Sequence, residues 1–443
     1  MKFKATTWIL LAALAAVAAY FFLIDERGQR AAEQARRESR KLFPYTSADV
    51  ERFVLINPQG DRIEVERGDS GWKITAPVEA PGDQPAIGSF IDQVVPGRRG
   101  IELADAPNLA DYGLQKPFAT LIIYHRGAAA PDTLFVGDKT PTSSNSYVRL
   151  GSSTSIFISS ELTHNVMNRN LFHLRDKNFL PPGGGSISAL AIRSGRQTLR
   201  LKKEGAYWWL ETPHVRADRV KIESYLSRLT DAVIHEFVGE NTRELGRYGL
   251  KNPAEELTLN RGSETMTISF GKKEDNLVNV VRTGLDKVIL IEGSFLEAFT
   301  WTRESLRAMN LAFFSQDSVK TISYETPDSS AVFKRTKTKW STASGDTLSI
   351  KWFEVNALLR KLDSVKFERI ITEPFPGDDP RLQPFLVRLT LENARGAVLD
   401  RITIAQGEKG IEIGASVSAN ALGALAPGTA GDLEAVFRRI VNR

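Results

Sequence analysis

The sequence predicts an α+β protein, in which an N-terminal transmembrane helix precedes three tandem repeats of a mainly antiparallel β domain with one amphipathic helix each. Three observations carry this expectation. An uncharged stretch runs from Ala5 to Ile24. One six-residue phrase is written twice, "YGLQKP" at 112–117 and "YGLKNP" at 248–253. Short runs of alternating apolar and polar residues, punctuated by turn residues, fill the rest of the chain.

The N-terminal stretch follows Lys2 and Lys4, and its 20 residues rise roughly 30 Å as a helix, one bilayer core. Trp8 and Tyr20 suit the interfaces. A cleaved signal peptide is the alternative, since Ala16-Val17-Ala18 offers small residues, but the apolar run continues through Tyr20-Phe21-Phe22-Leu23-Ile24. The expected anchor, 1–25, is followed by a helical juxtamembrane stalk over 26–45, in which Glu33 meets Arg37 at i+4. Two basic residues precede the span and six follow it (Arg27, Arg30, Arg36, Arg37, Arg40 and Lys41), a count that by itself would put the C-terminal side in the cytoplasm. Asp25 and Glu26 follow it directly, and long C-terminal bodies translocate largely regardless of flanking charge. The expectation is an inner-membrane, single-pass protein with its body in the periplasm.

The body repeats. Tyr112 and Tyr248 stand 136 residues apart, as do Trp72 and Trp208 (248 − 112 and 208 − 72). Each tryptophan precedes a proline by five residues, Pro77 and Pro213. "DQPAIGSFIDQVV" from Asp83 and "DRVKIESYLSRLT" from Asp218 place Ile87, Phe90, Ile91 and Val94 opposite Ile222, Tyr225, Leu226 and Leu229, at helical spacing. "LFVG" ending at Gly137 answers "ISFG" ending at Gly271, and "LRDKN" (174–178) answers "LRAMN" (306–310). A third copy keeps Trp340 and the helix carrying Val355, Leu358, Leu359 and Leu362, while "YGLxxP" has decayed to "RLQP" (381–384). The expected repeats are 46–181, 186–315 and a divergent 316–443, with "PPGGGS" (181–186) as the first linker.

Within the first copy, "VERFVLI", "DRIEVER" and "GWKIT" read as strands, then the helix, then "FATLIIYH", "TLFVG", "SYVRL" and "SIFIS". The twice-written phrase reads as a helix stop. Gly113 and Gly249 supply the left-handed residue of a Schellman cap, Leu114 and Leu250 close it, and Pro117 and Pro253 stop the helix from resuming.

Composition excludes much chemistry. With 42% hydrophobic and 25% charged residues the chain is globular, and no cysteine is present, so disulfides, thiolate metal sites and cysteine nucleophiles are absent. A net charge of +5, from 58 basic and 53 acidic residues, makes no case for nucleic acid. The five histidines, His125, His164, His173, His214 and His235, show no zinc spacing. "GDSGW" (68–72) resembles a protease nucleophile region, but the other copies read "EGAYW" and "TKTKW", so a hairpin turn explains it better. "PPGGGS" lacks a phosphate-loop lysine, and Asp378-Asp379 reads as a solvated turn. No catalytic residue, metal site or cofactor is expected. Trp209 is a candidate interaction residue, as is the basic set Arg335, Lys337 and Lys339, taken as one face of a strand, although a lysine-protected edge strand explains that set better.

The order W-x-[IL]-x-x-P, amphipathic helix, "YGLxxP" and "[LF]xxG" strands resembles the bacterial family of domain of unknown function 4340, well over 46–315 and more weakly beyond. The resemblance implies a membrane-anchored extracytoplasmic protein associated with ABC-type transporters of the gliding-motility or auxiliary kind. It brings no catalytic residues. The function expected is a noncatalytic scaffold for such a transporter or another envelope complex. An envelope glycan-binding protein or glycan hydrolase is the alternative.

Overall fold

The computed structural model describes residues 40–441 except 104–107, 142–144, 161, 182–184, 213, 338 and 343–351, together with Ala13, Leu14 and Tyr20. The transmembrane helix expected over 5–24 therefore lies, but for those three residues, outside the described residues, as does the stalk up to 39. Among the described residues no helix is long and apolar enough to cross a membrane. The chain divides into two compact units, Met1–Lys177 and Asn178–Arg443.

Unit 1 holds the first repeat, a sheet of β1 (Val50–Ile56), β2 (Arg62–Gly68), β3 (Gly71–Ala76), β4 (Ala80–Pro81), β5 (Glu102–Leu103), β6 (Ala119–His125), β7 (Asp132–Lys139), β8 (Ser146–Leu150) and β9 (Ile156–Ser159). They hydrogen-bond in the order β4-β3-β2-β1-β6-β7-β8-β9-β5, and each of these pairs is antiparallel. Short connections dictate that pairing for consecutive strands, because a parallel neighbour needs a crossover of a dozen residues or more. The helix α1 (Gln84–Val94) supplies the one long crossover element. It is capped by Asp83, whose carboxylate accepts the Ala86 N–H at 3.0 Å. Its buried residues Ile87, Phe90, Ile91 and Val94 meet the inward positions of the sheet, among them Phe53, Leu55, Val65 and Trp72. Burying each such side chain contributes about 1.5–3 kcal/mol.

Unit 2 holds two more sheets. Nine strands run from Val215–Arg216 at one edge to Glu236–Gly239 at the other, in the order of the first sheet, and eight strands form the third. Their helices, Arg219–Thr230 and Trp352–Ser364, bury the apolar residues the spacing predicts. The α+β class and the threefold repetition thus stand. The third copy differs at its end, where helix Thr429–Val441 follows the last long strand pair in place of short turns and an "LRxxN" segment. Glu412 holds its start, accepting the N–H of Gly428 at 3.0 Å and of Ala430 at 2.8 Å.

The "LRxxN" segments do two jobs. Leu174 and Leu306 offer their carbonyls to the N–H of the helix caps Asp83 (2.8 Å) and Asp218 (2.6 Å), while Arg175 and Arg307 bridge to Gly82 and Ala217. Three residues on, the same segments enter the following repeat. Asn178 bridges to Val233 and Asn310 to Lys366, and Phe179 and Leu311 donate to the Ala232 and Val365 carbonyls at 3.0 and 2.9 Å. The segment at 41–43 fills this slot in the first repeat, with Lys41 bridged to Arg98 and Leu42 donating to the Gly97 carbonyl at 2.9 Å.

Three expected boundaries change accordingly. The end of the stalk is not helical, because Leu42 and Phe43 are buried in the first core and Pro44 disfavours helical backbone just before it. The second repeat's core begins at Phe179 and Leu180, upstream of the glycines expected as linker, and the third begins at Leu311. Apolar content at a junction decides this, since Phe179 (0% exposed) could not be left in water.

Candidate functional site

The twice-written phrase forms the cap its residues suggest. Leu109–Tyr112 is a single 3-10 turn begun by Asn108, whose side chain accepts the Ala110 N–H at 3.1 Å. Gly113 takes φ 67°, and the Leu114 N–H donates to the Leu109 carbonyl at 2.8 Å. Gly249 (φ 74°) and Leu250, which donates to the Leu245 carbonyl at 2.8 Å, repeat the arrangement. Leu114 and Leu250 are buried. Tyr112 stands edge-on to Tyr147, ring centres 5.0 Å apart, whereas the Tyr248 hydroxyl donates to the Val238 carbonyl at 2.8 Å. Pro117 and Pro253 are half-buried ahead of the next strand.

The structure also gives the reason for the "[LF]xxG" glycines. A Cβ at Gly137 would collide with the Tyr112 carbonyl, and one at Gly271 with the Tyr248 carbonyl, which accepts the Lys272 N–H at 2.8 Å. Cap and strand therefore demand glycine together. In the third repeat, where tyrosine and glycine are missing, the strand position following Ile404 is Ala405, buried against Leu382 of the shorter "RLQP" turn.

Trp72 and Trp208 are core residues of equivalent strands, and their carbonyls accept the N–H of Gly82 (3.0 Å) and Ala217 (2.8 Å). Pro77 is exposed in the following turn; Pro213 lies outside the described residues. "GDSG" is a hairpin turn with Gly68 paired to Gly71. The basic set needs correction. Arg335 is the last residue but one of a strand that ends at Thr336, Lys337 (φ 56°) sits in the turn and Lys339 opens the returning edge strand opposite Thr336, so the three do not share a strand face. Period-two reading failed there because no glycine, proline or asparagine marks the reversal. Arg335 instead lies 3.8 Å from Asp317 and faces Trp340 across the hairpin.

Trp209 points away from the core that Trp208 fills. Its ring is half-buried and stacks on His214, with centres 4.4 Å apart and planes 1° from parallel. It lies at a seam between the second and third repeats that is legible only in three dimensions. There Arg307 forms a bidentate pair with Glu373, its Nη2 2.7 Å and its Nε 3.0 Å from the carboxylate, with both side chains largely shielded from water. Nearby, the Phe313 N–H donates to Ser418 Oγ at 2.8 Å. Ser418 and Ser416 in turn hydrogen-bond the fully buried Asp400, with Ser416 Oγ 2.8 Å and the Ser418 N–H 3.0 Å from its carboxylate. Burial pushes the Asp400 carboxyl above its ordinary range, and the serine hydrogen bonds only partly oppose this. The "LR" dipeptide marks Arg307 in the sequence, but nothing there pairs it with Glu373 or joins Asp400 to Phe313. Among the described residues no three His, Asp or Glu side chains gather as metal ligands do.

The sequence profile described as "Domain of unknown function (DUF4340)" matches residues 72–216 and again 208–384. Together these matches span more than half of the chain. The protein belongs to the DUF4340 family. The two DUF4340 matches begin at or beside equivalent core tryptophans, Trp72 and Trp208, so the family unit is offset from the structural repeat. It starts at the Trp-bearing strand and runs through the "LRxxN" segment into the next copy. Neither the curated proteins nor the solved structures give a match to this chain.

Proposed function

We propose that this DUF4340 chain is a noncatalytic, membrane-anchored scaffold whose residues 5–24 hold it in the inner membrane and whose body serves an ABC-type transporter or another envelope complex from the periplasm. The observation that carries the reading is the seam. The bidentate Arg307–Glu373 pair and the incoming segment at Leu311 join two repeats into one compact unit, and the half-exposed Trp209 lies beside that join. Repeats held in fixed relation suit the presentation of a surface to a partner. The recurrent motifs are all used in caps, strands and joins. A photo-crosslinking amino acid at position 209 of the full chain in native membranes tests the reading. Crosslinks to an ABC permease or an envelope protein support it. Absence of protein crosslinks from 209 and from exposed sites on all three repeats overturns it.

A cleft beside Trp72 favours a second reading, binding of an envelope glycan. Its volume is about 310 Å³, and Ser70, Lys73, Glu79 and Gln84 line it with the tryptophan. Retention of the chain on a column of peptidoglycan fragments, lost on Glu79→Ala, is the expected signature.

A further inference from the structure

We infer that the seam of the second and third repeats carries a docking site for a carboxylate side chain on an acidic segment of a protein partner, built from Tyr207, Trp209, His214, Arg216 and Phe313. This rests on the scaffold reading and specifies its partner. Arg216 is the centre. Its guanidinium carbon lies 3.9 Å from the Tyr207 ring centre, 4.5 Å from Phe313 and 5.1 Å from Trp209. Three aromatic rings around one arginine hold the planar cation by cation–π attraction. Yet its Nε and Nη1 are buried without a hydrogen-bond acceptor, and no carboxylate pairs with it among the described residues. Arg307, across the same seam, has Glu373 as its partner. An arginine held in place and left without a counter-charge calls for an anion from outside.

The walls are firmly placed. Tyr207 and Trp209 alternate with the core residue Trp208 along one strand, so both face outward. The Arg216 carbonyl accepts the Ala308 N–H at 2.8 Å, and Phe313 is tied to Ser418. Phe313 belongs to the third repeat, so the site is incomplete without it. The other repeats lack the constellation, having Lys73 and Ser341 where Trp209 stands. The surroundings favour a peptide over a charged polymer. Lys202, opposite Trp209 on the neighbouring strand, lies 3.5 Å from Glu204, so its charge has a local counter-charge and adds little to that of the arginine. One carboxylate flanked by apolar side chains fits the Nη2 end of the guanidinium, since Nε and Nη1 are buried, and arginine with tryptophan and tyrosine is the usual make-up of a binding hot spot.

Fluorine NMR of the full chain in detergent micelles, labelled with 5-fluorotryptophan, tests this. Seven tryptophans give the signals, and Trp209→Phe assigns the one that matters. Titration with a capped tripeptide of glutamate between two leucines is expected to move the Trp209 signal, and the glutamine tripeptide is not. Arg216→Gln is expected to weaken the response at least about tenfold, with Arg216→Lys between the two. The remaining six signals report whether each variant is folded. No movement with the glutamate peptide, equal movement with glutamine, or unchanged affinity in both Arg216 variants overturns the proposal, as does movement with polygalacturonate alone. Crosslinks from position 209 to a membrane partner that persist in Arg216→Gln would leave the scaffold reading standing while this one fails.

Discussion

Replacing Gly271 with alanine isolates the contact between cap and strand. The added Cβ meets the Tyr248 carbonyl, a backbone atom that also accepts the Lys272 N–H at 2.8 Å, as well as Leu250 Cγ at 2.8 Å. None of these is the free end of a flexible side chain, so either the strand or the cap must move. Losing the Lys272 hydrogen bond costs about 1 kcal/mol. Forcing a methyl into a filled site adds about 1–3 kcal/mol. The expected destabilisation is about 2–4 kcal/mol, which lowers the urea midpoint by about 1–2 M for a domain of this size. Urea denaturation of the chain from Arg40 onward, followed by hydrogen exchange at the Leu250 and Lys272 amides, measures it. Loss of protection at both amides together is expected. A midpoint within about 0.2 M of the parent, with both amides still protected, would refute the reasoning. Gly137→Ala should destabilise the first repeat through the matching collision with the Tyr112 carbonyl, whereas Ala405 shows that the third tolerates the methyl once the tyrosine turn is gone.

Gly113→Val or Gly249→Val is expected to cost its repeat about 1 kcal/mol or more, from the left-handed backbone alone, read as a lowered thermal midpoint. Glu412→Ala leaves the Gly428 and Ala430 N–H groups without their acceptor, and should cost about 1–2 kcal/mol with faster exchange in the first turn of the last helix. A double-mutant cycle on Arg307→Ala and Glu373→Ala should give a coupling of about 1–3 kcal/mol, because both groups share a shielded bidentate contact; additive single effects would deny the seam its ion pair. For Asp400 the sign follows from burial. Its carboxyl is raised in the folded chain, so folding takes up a proton, and the group's contribution is full below its unfolded value, about 3.9, and is lost as pH rises through the folded one. Stability of the parent relative to Asp400→Asn should therefore fall as pH is raised from about 4 towards neutrality. A pH-independent difference in urea midpoint between the two would contradict that.

Much of the architecture was open to a reader of the chain. Strand β8 matches the run "SYVRL" residue for residue, and the buried faces of the helices are those the 3.6-residue period selects. The two-residue edge strands at Ala80 and Glu102 were not, because a strand that short has no period to detect. Trp209 was identifiable as outward-facing from its neighbour Trp208. Its companions Arg216 and Phe313 were not, since Arg216 comes from another strand and Phe313 from another repeat.

Local physics thus settled the parts of this protein that chain neighbours determine. Glycine's tolerance of positive φ specified the caps at Gly113 and Gly249, and alternation specified which residues face a core. Repetition at nearly constant spacing then implied the same fold three times. Long-range proximity was decided only by the tertiary structure. The Tyr112 carbonyl against Gly137, the hand-over of Phe179 and Leu311 into the next core, and the Arg307–Glu373 seam join residues that no local preference links. Packing brings such groups together because each buried polar atom and each apolar side chain needs a partner, and those partners are found across the fold rather than along the chain.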